Sequence, residues 1–273
     1  MKKFLLAATI LFCVMTAGRF QAKFDLIITG DGAVVRNWKL LGTAPFARHI
    51  EDLKARNEKA FPNLKVNPVA EGNLLGYEFS LEYPDIESFA KSSSEMYGAH
   101  SGKNNGISKH ATWFFDEYDF DFYTATSQSN IPHEAEYMTQ AALNNLVYEV
   151  TIQLPYPVEK CNADKIEDNG KFLQWNLAPL LIHSGEKHMN ARFKIWHRDK
   201  IFVTALVELL LIASTIFFAV KARSEEFADI GKDLRFKRNI FAGLAVALAL
   251  ISAYMILTPV TFTDADTISA ALQ

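Results

Sequence analysis

The 273-residue sequence holds only two cysteines, Cys13 and Cys161, and the first lies inside an apolar N-terminal run. A chain that loses that run keeps one thiol, so no intramolecular disulfide holds the fold, which must rest on its apolar core. An excess of one charge is also lacking: 28 Lys and Arg against 31 Asp and Glu give a net charge of −3. Without a broad basic face, nucleic acid is excluded as a partner. The sequence has no Gly-rich phosphate loop and no Ser in a Gly-x-Ser-x-Gly turn. His133-Glu134-Ala135-Glu136 begins like a zinc-protease helix, but Tyr137 stands where the second His ligand is required. His183 and His188 flank Gly185 and read as loop histidines. Asp116, Glu117, Asp119 and Asp121 read as the solvated face of a strand rather than a calcium site. These gaps leave no catalytic constellation, metal or cofactor to expect, and the chain reads as non-enzymatic.

What is present is concentrated in three apolar runs, at 4–17, 201–220 and 240–257. Met1-Lys2-Lys3, the first run and the small residues Thr16, Ala17 and Gly18 have the order of a secretory leader over 1–22. Cleavage fits after Gly18 or Ala22, and an uncleaved anchor is the alternative. Bulky Phe12 before Cys13 argues against a lipid-modified cysteine. At roughly 1.5 Å per residue, the second and third runs are each long enough to cross about 30 Å of hydrocarbon. The segment 221–238 between them carries Lys221, Arg223, Lys232, Arg235, Lys237 and Arg238, whereas the tail 261–273 has Asp264 and Asp266 and no basic residue. The positive-inside tendency makes 221–238 a cytoplasmic loop. A domain at 23–198 and the tail then lie on the outer side of a bacterial cytoplasmic membrane, anchored by a transmembrane hairpin over 199–260. Arg192, Lys194, Arg198 and Lys200, just outside the first span, suit contact with lipid phosphates or the snorkelling of a strand end against the headgroups, so membrane lipids are expected partners. Glu208 lies inside the apolar run, where an ionisable group implies a role or a partner, such as another envelope membrane protein, unless helix tilt lets it reach the interface. Gly243 and Ala247, with Ala245, Ala249 and Ala253, form small-xxx-small pairs that suit packing on the first span or on another subunit.

The stretch 23–198 is strand-patterned. Alternation at 24–28, the Gly30-Asp31-Gly32 turn and the run 33–41 predict a β-hairpin, and the apolar spacing from Pro45 to Ala60 predicts a helix closed by Pro62. Strands are expected at 64–70 and 74–83, a helix from Pro84 to Met96, and a polar loop at 101–108. An aromatic strand follows at 112–126, then a short helix at 133–145 and strands at 146–154, 171–177 and 189–196. The sum is an α+β fold, an antiparallel sheet with helices packed on one face, followed by the transmembrane hairpin. Trp113, Phe115, Phe120 and Phe122, with Tyr148 and Trp175, can line a pocket for an acyl chain or fill the core of the sheet.

The order of parts, with 150–154, Pro155, Val158, Asn162, Asn169-Gly170, Trp175 and Leu177, resembles the LppM-domain family of bacterial envelope proteins over about residues 24–197. Tyr156 stands where the family often has Gly, and Phe12-Cys13 replaces the lipobox of many members. The resemblance implies an α+β domain at the outer face of the cytoplasmic membrane, with lipid or glycolipid binding suggested for some members, and no enzymatic activity.

Overall fold

The computed structural model describes residues 19–97, 106–126, 146–181, 185–224 and 227–258. The leader to residue 18, the loop segment 101–105, the helix expected at 133–145, His183 and the tail 261–273 lie outside the described residues. In chain order the strands and helices are β1 (Phe20–Ile28), β2 (Val34–Gly42), α1 (Ala47–Ala60), β3 (Lys65–Glu71), β4 (Leu74–Tyr83), α2 (Ile86–Tyr97), β5 (Gly106–Ala111) and β6 (Phe115–Thr126). Then come β7 (Leu146–Gln153), β8 (Lys160–Cys161), β9 (Lys165–Glu167), β10 (Phe172–Asn176), β11 (Gly185–Trp196), α3 (Arg198–Ser224) and α4 (Ala228–Leu257).

The chain separates into two compact units. Most of the α+β part forms the first, and residues 110–117 with 196–262 form the second. The expected α+β class holds, with its strands in two sheets. One has the order β3-β4-β2-β1-β7-β10-β9 and the other β5-β6-β11-β8. In the larger sheet β1 and β7 run parallel, while its other neighbours are antiparallel. The first strand begins at Phe20, inside the segment read as the leader, and Ala22 is buried opposite Leu40. Cleavage after Gly18 leaves β1 whole, and cleavage after Ala22 would remove its first turn of ladder.

Side chains of directly paired residues point to the same face of a sheet. Register therefore aligns Phe24, Trp38 and Phe79 in one row and Leu26, Arg36 and Leu81 in the next. The parallel partner adds Val150 beside Phe24 and Ile152 beside Leu26, and β10 adds Trp175 and Leu173. One core cluster on this face joins Leu26, Val34, Ile152 and Trp175 to Tyr118, Phe120, Ala191 and Phe193 of the smaller sheet and to Ile86 and Phe89 of α2. A second joins Ala22, Trp38, Leu40, Phe79 and Leu81, with Leu53 of α1 packed against it. Trp38 and Phe79 stack at 5.2 Å between ring centroids. At Gly76 a Cβ would stand 1.9 Å from the Leu40 carbonyl oxygen, so only glycine permits β4 to approach β2 this closely.

In the second unit, α3 and α4 are both long and apolar enough to cross a membrane. Phe218 stacks on Phe241 at 5.4 Å, and Leu234 and Ala245 are buried. Much of the expected loop 221–238 is helical, because α3 continues to Ser224 and α4 already begins at Ala228. Charged residues at helical spacing continue a helix beyond its apolar part, as the Asp233–Lys237 pair at 2.8 Å illustrates.

Candidate functional site

The first unit contains a cleft of about 320 Å³, within the range of small-molecule sites. The larger sheet gives it Phe24, Leu26, Trp38, Leu40 and Val150 from β1, β2 and β7. Helices α1 and α2 contribute Leu53, Asn57 and Phe89, and the smaller sheet contributes Phe120, Phe122 and Met189. Asn57 is tied down by donating its side-chain N–H to the Leu53 carbonyl at 2.9 Å. Tyr148 completes the wall and packs edge-on against Phe24 at 5.9 Å.

A single basic side chain stands among these residues, Arg36, which is 7% exposed and lines the cleft. Its guanidinium carbon lies 4.7 Å from the Trp38 ring centroid, a cation–π geometry. Asp25 and Thr151 belong to the opposite register and hydrogen-bond to one another, the Thr151 hydroxyl donating to the carboxylate. The cleft thus offers long apolar walls, with Arg36 and Asp25, one of each charge, among its lining residues.

Of the six aromatics expected at a pocket, Phe120, Phe122 and Tyr148 come together in the cleft. Trp175 instead belongs to the core: it is fully buried and donates its indole N–H to Asn162 Oδ1 at 3.0 Å. Asn162 also accepts from the Asn190 N–H and donates to the His188 carbonyl, which locks the Trp strand against β11. Phe115 and Trp113 fall in the second unit. Phe115 lies an odd number of residues from Phe120, so strand alternation turns it to the other face, where it meets Trp196 edge-on at 5.1 Å.

Trp113 precedes β6 in a turn closed by Thr112, whose N–H and hydroxyl both donate to the Phe115 carbonyl. The ring is 50% exposed. Its indole N–H donates to Thr204 Oγ1 at 3.3 Å, and Lys200 Nζ lies 5.4 Å from the ring centroid. His197, the single residue between β11 and α3, donates its backbone N–H to the Phe114 carbonyl at 2.8 Å and sets its ring 3.3 Å from Asp116 Oδ2. Together these contacts clasp the turn to the first residues of α3.

The acidic strand is only in part the solvated face expected from its alternation, with Asp121 about half exposed but each of its carboxylates engaged or buried. Asp119 receives Arg192 at 2.6 Å, Asp121 meets His188, whose ring stacks on Tyr123, and Glu117 is 2% exposed. The reason is the neighbouring strand: the polar register of β11 carries complementary His188 and Arg192. Arg192 and Lys194 were expected to meet lipid phosphates but are engaged by carboxylates, Lys194 by Glu159 at 2.6 Å. Among the described residues, no three His, Cys, Asp or Glu gather as a metal site.

On α3, Glu208 is half-buried, and its Oε2 has no hydrogen-bond partner among the described residues. Gly243 and Ala247 are exposed, and a Cβ at Gly243 would meet nothing within 4 Å. Of the small-residue set, Ala245 alone is buried, so the α3-facing seam of α4 runs through Ala245 rather than Gly243 and Ala247.

Outside the second unit, the Asp85 carboxylate caps α2 by accepting the Ser88 N–H at 2.7 Å. Hydrogen bonds from the Ser88 side chain and backbone hold the Asp85 carboxyl below its ordinary value. This cap orients the helix that supplies Phe89 to the cleft.

No family model matches the chain, and no curated protein matches it. Among solved structures, it is similar to the folded domain of LppM from Mycobacterium tuberculosis, determined by NMR. The two share 14% identity over 67% of this chain and 93% of that one, with a TM-score of 0.38.

Proposed function

We propose that this is a non-enzymatic protein of the bacterial envelope, anchored in the cytoplasmic membrane by α3 and α4, whose exported domain binds the apolar part of a lipid. The cleft carries this reading: its volume and aromatic walls suit an acyl chain, which would exchange one apolar environment for another. The leader pattern and the basic residues between the two spans support an outward-facing domain. Half-buried Cys161 gives a topology test in a Cys13→Ser chain. A membrane-impermeant maleimide should label it in spheroplasts without lysis, and labelling only after lysis would reverse the orientation.

The binding test is native mass spectrometry of the full chain released from detergent. Stoichiometric lipid is expected on the native protein and absent from Val150→Trp, which fills the cleft. An unchanged lipid complement on the folded variant would place the lipid elsewhere and defeat the reading.

A second reading, an accessory subunit that docks through its hairpin, is favoured by Glu208. A carboxylate oxygen with no hydrogen-bond partner among the described residues, on a helix of membrane-spanning length, invites a polar group from another chain. Photo-crosslinking from position 209 in cells that returned only copies of this chain would count against it.

A further inference from the structure

We infer that the turn before β6 is a membrane contact in its own right, with the Trp113 indole seated in the outer headgroup layer of a phospholipid bilayer beside the first turns of α3. The inference rests on the reading of α3 as a span and adds to it a contact made from outside the hairpin. Exposure singles the residue out. Among the described residues before α3, the exposed large apolar side chains are Leu75, Trp113 and Ile166. Phe114 and Phe115 are buried, so the turn folds two rings inward and leaves Trp113 outside. The backbone holds it there. Thr112 closes the turn onto the Phe115 carbonyl, and His197 donates from its backbone N–H to the Phe114 carbonyl and from ring Nδ1 to the Trp113 carbonyl at 3.2 Å. Because His197 immediately precedes α3, these bonds set the indole's position relative to that helix.

Depth follows from the helix. Trp113 meets Lys200 through its ring and Thr204 through its N–H, two residues one turn apart on the same face of α3. At roughly 1.5 Å per residue, Thr204 stands about 4.5 Å beyond Ile201, where the apolar run begins. The ring therefore lies where the span passes from headgroups to hydrocarbon, level with the exposed side chains of Ile201, Phe202 and Val203. An indole suits that layer on two counts. Thr204 already accepts its N–H, so the ring enters an apolar layer without giving up a hydrogen bond, and Lys200 beside it carries an ammonium that reaches outward to a phosphate. The exposed apolar side chains of α3 continue to Val220, and the medium that covers them covers the ring, which makes phospholipid its partner.

The test is tryptophan fluorescence of the full chain in vesicles of phosphatidylcholine brominated either close to the headgroup or close to the acyl methyl end. Shallow bromines should quench a component of the native emission that deep bromines spare. Trp113→Phe should lose that component, while emission from buried Trp38 and Trp175 persists as a sign of folding. Phe202→Trp, made in the Trp113→Phe chain, tests the span separately. Quenching of that new indole, with no difference between the native and Trp113→Phe chains, overturns the inference and leaves α3 in the membrane. Absence of quenching at both positions brings down the span and the inference together. Equal quenching of Trp113 by shallow and deep bromines overturns the headgroup placement. A phospholipid with a photoreactive group near its head decides without any variant: adducts at Trp113 of the native chain are expected, and adducts confined to α3 and α4 overturn the inference.

Discussion

The cleft and the helical hairpin are both largely apolar and each holds a charged side chain away from water, Arg36 and Glu208, yet they are built for different surroundings. Around the cleft, apolar residues recur at every second position, and the sheets and helices turn them inward, so that Trp38, Phe79 and Phe120 are buried. On the hairpin, Phe202, Leu209, Leu250 and Leu257 are exposed. In water each such residue would cost about 1.5–3 kcal/mol relative to burial, a cost that vanishes in lipid. The same composition thus teaches opposite lessons about solvent. The charges differ likewise: Arg36 is fixed by sheet register among aromatic neighbours, whereas Glu208 lies on a helix that offers its Oε2 no hydrogen bond among the described residues.

Substitution at Trp175 separates the aromatics of the core from those of the cleft. Trp175→Ala removes a fully buried ring and leaves Asn162 without its indole donor, so it should destabilise the α+β unit by about 3–5 kcal/mol. Leu209→Ala, on the exposed side of α3, should leave that unit's unfolding midpoint unchanged. Denaturant titration of the full chain reads both. If Trp175→Ala kept the midpoint and lost only bound lipid, Trp175 would be a wall of the cleft rather than part of the core.

Next in size is Glu208→Leu. Replacing a carboxylate inside an apolar helix should favour membrane insertion of α3 by about 2–3 kcal/mol, read as the inserted fraction in a translocation assay. A loss of insertion would mean that Glu208 is satisfied within the bilayer, and the contrast with Arg36 would narrow to two paired charges.

How much of this was legible in the sequence depends on whether the signal is local. The β1–β2 hairpin, α1 and β7 follow from alternation and helical spacing, and the two membrane-length helices follow from their apolar runs. The odd spacing of Phe115 and Phe120 already forbade a shared face on one strand, although shared aromaticity suggested otherwise. Arg36 was legible too, as a charge in the inward register between Val34 and Trp38. Long-range pairing was not legible. Nothing in the local pattern brings β7 alongside β1, where Thr151 meets Asp25 at a separation of 126 residues. The pairing of the acidic strand with His188 and Arg192 likewise needed the partner strand to be known.

A smaller effect is expected at Asp85, which joins stability to the cleft through α2. Asp85→Ala should cost about 1 kcal/mol by removing the N-cap, and should loosen Phe89 at the cleft wall. Because the folded-state pKa is lowered, the cap's contribution is present above the unfolded carboxyl value of about 3.9 and is lost as pH falls through the folded value. The native protein should therefore lose stability below about pH 4 more steeply than Asp85→Asn. Parallel acid profiles for the two would assign the acid sensitivity to other carboxyls, among them Glu71 and Glu82, which Lys39 and Lys65 also hold low.

At the start of the hairpin, where Trp113 is clasped to α3, the energies at stake are smaller still. An exposed indole with a 3.3 Å hydrogen bond to Thr204 and a lysine over its ring has the make-up of a membrane-interface anchor, amphipathic and beside the first turns of a span. Trp113→Phe and Thr204→Val each remove one partner of that bond, and each should cost about 0.5–1 kcal/mol. Because they remove the same interaction, the double variant should cost little more than either alone, and a thermal-unfolding cycle in nanodiscs measures the coupling. Full additivity would show that Trp113 and Thr204 act independently, with the indole held by lipid rather than by the helix. Trp113 would then be a surface contact of the turn, and Lys200 alone would remain to mark where α3 meets the headgroups.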